Sequence, residues 1–159
     1  KNLYFEAEKF KINEDRIVFL KKTIFEDHLS RHYLADLFLD TFNYNAHTTA
    51  VDALWTGLPI ITKPGNSFSS RVCGSLLKFF DLDELILKNK DEYYNKALEL
   101  AENPHKLKAI KNKIVKHRDS NKYFDPKNYT LNLEKAYKKI HSMRVNENKF
   151  ENIHIKDIE

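Results

Sequence analysis

The sequence has 159 residues, 42% hydrophobic and 13% aromatic, which is enough to bury one sizeable core. Its 27 basic and 23 acidic residues leave a formal charge of +4, too small an excess to favour nucleic acid as a partner. The single cysteine, Cys73, excludes an internal disulfide and a cysteine-based zinc site. We therefore expect one domain in a reducing, intracellular and cytoplasmic setting, without a membrane span.

Short apolar runs alternate with longer amphipathic segments in the first half of the chain. Leu3, Ala7 and Phe10 share one helical face and predict an opening helix, entered in the middle of a domain. Four brief runs rich in Ile, Leu, Val and Phe predict buried strands: Arg16 to Leu20, Leu37 to Thr41, Pro59 to Thr62 and Glu84 to Leu87. Helical stretches near Glu26 to Asp36, Thr49 to Thr56 and Ser69 to Phe80 separate them. Because each stretch is long enough for a crossover, the order predicts a parallel α/β sheet flanked by helices.

Beyond the last predicted strand the pattern is helical. Asn89 followed by Glu92 resembles a capping pair that opens a helix. Two further amphipathic helices follow, the second from about Pro126 to His141. Residues 144–159 have no helical period and few apolar side chains, so they predict an extended tail. The chain thus divides into a domain over residues 1–143 and this tail.

The loop after the second predicted strand has unusual chemistry. In open parallel sheets, ligands bind outside the carboxyl ends of the strands. This loop, FNYNAHTT, runs into a helix, and Thr48 and Thr49 can cap it beside backbone N–H groups that favour an anion. His47 adds a donor, and Asp52 can accept hydrogen bonds from a ribose. Ordinary capping accounts for the same residues, and spacing alone favours that simpler interpretation.

Two other places carry weaker signals. The loop KPGNSFSS after PIIT contains Gly65, which permits an unusual turn, and Ser67 or its neighbour Asn66 can cap the next helix. It matches neither the Walker pattern nor GxGxxG. Near the second predicted helix, His28 and Arg31 share a face after Thr23, an arrangement that suits a planar base. The remaining question is whether these are only surface residues.

A longer pattern answers part of that question. The run HLSRHYLADLFLDTFNYNAHTTAVDALWTGLPIITKPGNSFSSRVCGSLL, His28 to Leu77, resembles the signature stretch of the protein O-linked N-acetylglucosamine transferases and their Spindly-like relatives. The likeness continues more weakly through DEYYNKALELAENPHKLKAI and SNKYFDPKNYTLNLEKAYKKI. It implies a GT-B enzyme with two Rossmann-like domains, usually preceded by tetratricopeptide repeats. This chain resembles the second, donor-binding domain without its first strand.

The resemblance assigns roles to the base side of the site. His28 and Arg31 match residues that stack on and bond uracil. Thr23 matches a position whose backbone contacts the base edge. Asp52 matches the carboxylate that binds the ribose. Phe25 stands where animal members carry a lysine, so one charged contact to the nucleotide is lost.

The resemblance also assigns the phosphate side. His47, Thr48 and Thr49 match the segment that holds the diphosphate and the sugar, and His47 and Thr48 would stabilise the departing UDP. Tyr44 matches a smaller residue near the N-acetyl group of the sugar. Its bulk leaves the donor open between UDP-N-acetylglucosamine, UDP-glucose and GDP-fucose.

The implied function is transfer of a sugar from UDP to Ser or Thr of acceptor proteins, with no metal or cofactor. No residue present is a convincing general base. Acceptor proteins would bind through regions that precede this chain, so we expect the isolated fragment to be inactive. The alternative is a non-catalytic nucleotide-binding module.

Overall fold

The computed structural model describes residues 2–120, 124–147 and 151–154. The first four helices are α1 (Asn2–Lys9), α2 (Phe25–His32), α3 (Thr48–Thr56) and α4 (Val72–Phe79). The later three are α5 (Lys90–Glu102), α6 (Pro104–Ser120) and α7 (Pro126–Ser142). Short 3₁₀ turns lie at Glu14–Arg16, Phe68–Ser70 and Asp83–Leu85. In the part of the chain described here, no helix has the length and apolarity needed to cross a membrane.

Two short strands form a small parallel sheet. Strand β1 (Phe38–Leu39) pairs in parallel with β2 (Ile60–Ile61), with Phe38 opposite Ile60. A parallel bridge between Thr62 and Ile86 extends the pairing to the fourth predicted run. The prediction of parallel strands joined by helices is thus confirmed, although the strands are shorter than the apolar runs.

The first predicted strand, Arg16 to Leu20, is wrong. Arg16 ends a 3₁₀ turn that Asn13 caps by accepting a hydrogen bond from the Asp15 N–H. The apolar residues that follow lie on the surface, and Val18 is 74% exposed. An apolar run becomes a strand only where a neighbouring strand and a core cover it, and the described residues provide neither on this side of β1.

The C-terminal helices are confirmed, and the tail differs from expectation. Asn89 caps α5 by accepting from the Glu92 N–H at 2.8 Å, as the capping pair predicted. The chain after α7 does not extend at once, because Met143–Glu147 forms a turn of π-helix. Met143 is buried and anchors that turn. Of the remaining tail, residues 151–154 are irregular, and residues 148–150 and 155–159 lie outside the described ranges.

The hydrophobic core lies in the middle of the sequence. Its fully buried members come from α3, the sheet, α4, α5 and α6, and include Ala53, Leu54, Ile60, Leu77, Phe80 and Ile114. Among residues 2–37, by contrast, Ala7 alone is a buried hydrophobic residue. The core therefore supports the carboxyl end of the sheet, where the candidate site lies.

Candidate functional site

The loop between β1 and α3, residues 41–47, is organised by one buried carboxylate. Asp40 follows β1 directly, and its Oδ1 accepts hydrogen bonds from the Thr41 N–H at 2.9 Å and the Ala46 N–H at 2.7 Å. Its Oδ2 accepts from the Thr62 hydroxyl at 2.5 Å, one residue beyond β2. One side chain thus fixes both ends of the loop relative to the sheet.

The same loop is fastened to the neighbouring segment 65–70. The Ser69 carbonyl accepts from the Asn45 N–H at 2.8 Å and lies 3.1 Å from the His47 Nε2. Because a carbonyl only accepts, His47 carries its proton on Nε2 in this contact. The His47 ring is therefore held in one orientation at the entrance to α3.

Gly65 has a different role from the predicted turn. Among the glycines that the structure describes, Gly57 has a positive φ and Gly65 does not. A Cβ at Gly65 would lie 2.5 Å from the Ser70 Oγ. Close approach of the backbone to Ser70, not a left-handed conformation, requires glycine here. Ser67 does act as a cap, but of the 3₁₀ turn Phe68–Ser70 rather than of α4.

At the start of α3, the prediction that Thr48 and Thr49 cap the helix is wrong, whereas an anion site there stays a prediction. His47 is the N-cap, and Thr48 and Thr49 are the first helical residues, so neither threonine caps the helix. The Ala50 and Val51 N–H groups donate to the His47 carbonyl. Within the described residues, the Thr48 and Thr49 N–H groups have no acceptor, as is usual for the first turn of a helix. Both threonine residues are exposed.

Aromatic side chains line the cleft in front of these donors, which we name the loop cleft. It has a volume of about 480 Å³ and is bounded by residues 38–41 and 44–49. The Tyr44 ring stacks on the His47 ring with centroids 4.7 Å apart and planes 17° apart. The Phe68 ring meets His47 edge-on at 6.2 Å. The loop cleft therefore combines backbone donors with an aromatic wall.

A second cleft holds the other predicted residues. This helix cleft has a volume of about 820 Å³ and contains Thr23, His28 and Arg31 together, with Phe25 on its wall. The Arg31 guanidinium donates to the Lys21 carbonyl at 2.7 Å. The Thr23 hydroxyl donates to Asp27 at 3.0 Å, at the start of α2. Arg31 thus braces the irregular segment 17–24 as well as lining the cleft.

Asp52 is not among the residues that line either cleft, but it lies beside His28 of the helix cleft. It is half-buried on α3, and its Oδ2 lies 3.6 Å from the His28 Nε2 on α2. The two clefts also share Phe38 and Leu39 on their walls. The structure therefore brings Thr23, His28, Arg31 and Asp52 together on one side, and Tyr44, His47, Thr48 and Thr49 on the other.

Sequence reasoning missed the buried polar cluster behind the loop. Tyr93 on α5 donates to the Asp40 carbonyl at 2.9 Å, and burial, followed by the Asp40 charge, raises the pKa of Tyr93 to about 12. Burial and the nearby Asp40 also raise the pKa of the Cys73 thiol far above its usual range. An aspartate inside the apolar run LFLDT was the available signal, since a buried carboxylate needs partners. The described residues contain no group of three metal ligands.

Three comparisons with known proteins indicate one family of glycosyltransferases. The model of the family described as "Glycosyl transferase family 41" matches residues 1–133. The chain is 37% identical over 130 residues to the probable UDP-N-acetylglucosamine–peptide N-acetylglucosaminyltransferase SEC of Arabidopsis thaliana, covering 81% of this chain and 13% of that protein. It is 38% identical over 123 residues to the UDP-N-acetylglucosamine–peptide N-acetylglucosaminyltransferase of Caenorhabditis elegans, covering 77% of this chain and 11% of that protein.

A solved structure extends the likeness to the fold. A mutant of the O-GlcNAc transferase of Thermobaculum terrenum superimposes with a TM-score of 0.81 at 29% identity, covering 87% of this chain and 27% of that chain. The fold is therefore the α/β fold of a GT-B glycosyltransferase, as the sequence predicted. The chain spans between a tenth and a third of the proteins that it matches.

Proposed function

This chain belongs to glycosyltransferase family 41, and we propose that it forms the donor-binding part of a protein O-glycosyltransferase. Its donor would be UDP-N-acetylglucosamine, the sugar nucleotide in the names of its relatives. The acceptors would be Ser or Thr hydroxyls of proteins, bound by parts of the enzyme other than this chain. We place this activity inside the cell, with no metal or cofactor taking part.

The observation that carries the proposal is the start of α3. The Thr48 and Thr49 N–H groups lack acceptors among the described residues and open into the loop cleft. Unpaired donors at a helix N-terminus bind phosphate because the hydrogen bonds and the helix dipole act in the same direction. The diphosphate of the donor would lie here, with the threonine hydroxyls as further donors.

The helix cleft supplies the rest of a nucleotide site. Its wall carries the His28 ring and the Arg31 guanidinium, groups that stack on and hydrogen-bond a planar base. Asp52 lies beside His28 on α3, and a ribose that joins the base to the diphosphate would pass near it. A carboxylate at that point accepts hydrogen bonds from ribose hydroxyls.

The same groups would assist the reaction. When the acceptor oxygen attacks the anomeric carbon, the bond to the diphosphate breaks and negative charge grows on the departing UDP. Donors that are already aimed at that position stabilise this charge without reorganising. The His47 Nε2 proton is engaged with the Ser69 carbonyl, so this proton is not available to the ligand and His47 would contribute by fixing the loop at the start of α3.

Calorimetric titration of the protein with UDP, UDP-N-acetylglucosamine, UDP-glucose and GDP-fucose tests the proposal. We expect UDP and UDP-N-acetylglucosamine to bind and GDP-fucose to bind at least about 10-fold more weakly, since a guanine needs different hydrogen-bond partners. A preference for GDP-fucose would overturn the uridine assignment. Binding without transfer to any protein acceptor by the intact enzyme would favour a non-catalytic nucleotide-binding module. Tyr44 makes UDP-glucose the informative competitor, because its stacked ring narrows the loop cleft where the sugar would lie.

A further inference from the structure

Asp40 is a buried carboxylate at the edge of the loop cleft, and its oxygens are engaged with the protein itself. It is 4% exposed, and its two oxygens accept hydrogen bonds from the Thr41 N–H, the Ala46 N–H and the Thr62 hydroxyl. Burying a carboxylate is unfavourable unless such bonds compensate for the lost water. Conformations of the loop that break one of these bonds are therefore strongly disfavoured.

The placement of these bonds matters more than their number. Oδ1 binds both ends of the loop, and Ala46 immediately precedes His47, the N-cap of α3. Oδ2 binds Thr62, so the loop is set relative to β2. Tyr93 adds a hydrogen bond to the Asp40 carbonyl and fixes the backbone at the same point. The position of the first turn of α3 therefore depends on Asp40.

We propose that Asp40 is a positioning residue of the donor site, whose carboxylate holds the loop 41–47 so that the Thr48 and Thr49 N–H groups face the phosphates. The inference rests on the proposed function for the identity of the ligand. It requires no contact between Asp40 and the ligand. Because the proposed base contacts Thr23, His28 and Arg31 lie on α2 and the segment before it, Asp40 should affect phosphate binding and leave base binding alone.

Four variants separate positioning from general stability. Asp40→Ala removes all three bonds. Asp40→Asn keeps an acceptor for both N–H groups and can donate to Thr62, whose hydroxyl also accepts. Thr62→Val removes one donor to the carboxylate. Thr56→Val is the matched control, since its buried hydroxyl bonds only to carbonyls within α3.

Each variant is titrated with inorganic pyrophosphate, uridine and UDP, and its melting temperature is recorded. We expect Asp40→Ala to weaken pyrophosphate and UDP binding by about 10-fold or more, with uridine within about 2-fold, because a loosened loop misplaces the phosphate donors. Asp40→Asn should restore most of that affinity. We expect about a 3-fold loss for Thr62→Val and no loss for Thr56→Val.

Equal weakening of uridine and pyrophosphate in Asp40→Ala would overturn the proposal, because it would indicate a general loss of structure. Unchanged pyrophosphate affinity would overturn it as well. Hydrogen exchange provides a test that needs no ligand: exchange of residues 41–47 should accelerate in Asp40→Ala, whereas exchange in α5 should not. If the wild-type protein binds no UDP, the proposed function fails, and unchanged exchange in residues 41–47 would then separately overturn the positioning role.

Discussion

The two clefts of the candidate site are built in opposite ways. The loop cleft rests on α3, whose Ala50, Ala53 and Leu54 are fully buried, and its loop is tied down through Asp40 and Ser69. The helix cleft borders the segment 17–24, which has no regular structure and exposes its apolar side chains. The loop cleft is thus organised before a ligand arrives. In the helix cleft, by contrast, Arg31 both braces the wall and would contact the ligand.

This contrast has a physical consequence. Donors fixed by a buried core lose little freedom when they bind, so they contribute most to selecting and stabilising charge. Side chains on an exposed segment must be ordered at some cost in entropy. We therefore expect substitutions under the loop cleft to act on the fold and on phosphate affinity, and substitutions around the helix cleft to act mainly on base recognition.

We expect the greatest change in stability from a substitution in the core near the loop cleft, because residues 2–37 have few buried apolar side chains. Leu54→Ala empties a fully buried position beneath the loop cleft and should lower the free energy of unfolding by about 2–5 kcal/mol. Leu34→Ala, at a side chain 87% exposed beyond α2, should change it by less than about 0.5 kcal/mol. Urea denaturation measures both. Similar losses of unfolding free energy in the two variants would show that residues 2–37 are covered by a core of their own, contrary to the contrast drawn between the two clefts.

The next effect concerns phosphate. Replacing Thr48 and Thr49 together with Val removes two exposed hydroxyls at the start of α3 and should weaken UDP binding by about 1–3 kcal/mol, since the partner is charged. Thr130→Val, on the exposed surface of α7, is the matched control. Calorimetry on variants with unchanged melting temperatures makes the comparison. Undiminished affinity would limit the role of the threonines to their backbone N–H groups.

A smaller effect concerns Asp52, which lies beside His28 of the helix cleft. Asp52→Asn should weaken uridine and UDP binding by about 1 kcal/mol through the lost acceptor for ribose hydroxyls, while pyrophosphate binding stays within about 2-fold. Asp36→Asn, whose side chain is 82% exposed and pairs with Lys111, provides the control. If Asp52→Asn weakened pyrophosphate binding as much as uridine binding, Asp52 would act on the phosphate side of the site, and the assignment of base and phosphate to separate clefts would be wrong.

The remaining effect is a pH dependence of stability at Tyr93, behind the loop. Burial and the Asp40 charge raise the pKa of Tyr93 to about 12 in the folded protein, above the value of about 10 for a free tyrosine. Folding thus favours the neutral phenol, and this contribution to stability is complete below about pH 10 and is lost as the pH rises towards 12. Tyr93→Phe should lose this dependence, whereas Tyr94→Phe, at an exposed ring, should keep it. The free energy of unfolding of both variants is measured between pH 9 and 12. The same dependence on pH in the two variants would contradict a raised pKa at Tyr93.

The helices, the parallel direction of the strands, the Asn89 cap and the family could all be predicted from the sequence. These depend on periodicity and on signals a few residues apart, which a single chain displays directly, and on a long run of matching residues from His28 to Leu77. The sequence also pointed to the residues of both clefts, although their roles as ligand contacts stay predictions until binding is measured.

Which apolar run lies in the sheet, and what holds the loop 41–47, became visible in the folded chain alone. Arg16 to Leu20 has the composition of a strand but lacks a covering partner, and no local pattern reveals that. The Asp40–Thr62 bond and the His47–Ser69 contact each join residues 22 positions apart, and His28 meets Asp52 across two helices. Such contacts form because the buried core between Ala50 and Ile114 brings the ends of β1, β2 and α3 together, and spacing along the chain does not encode that proximity.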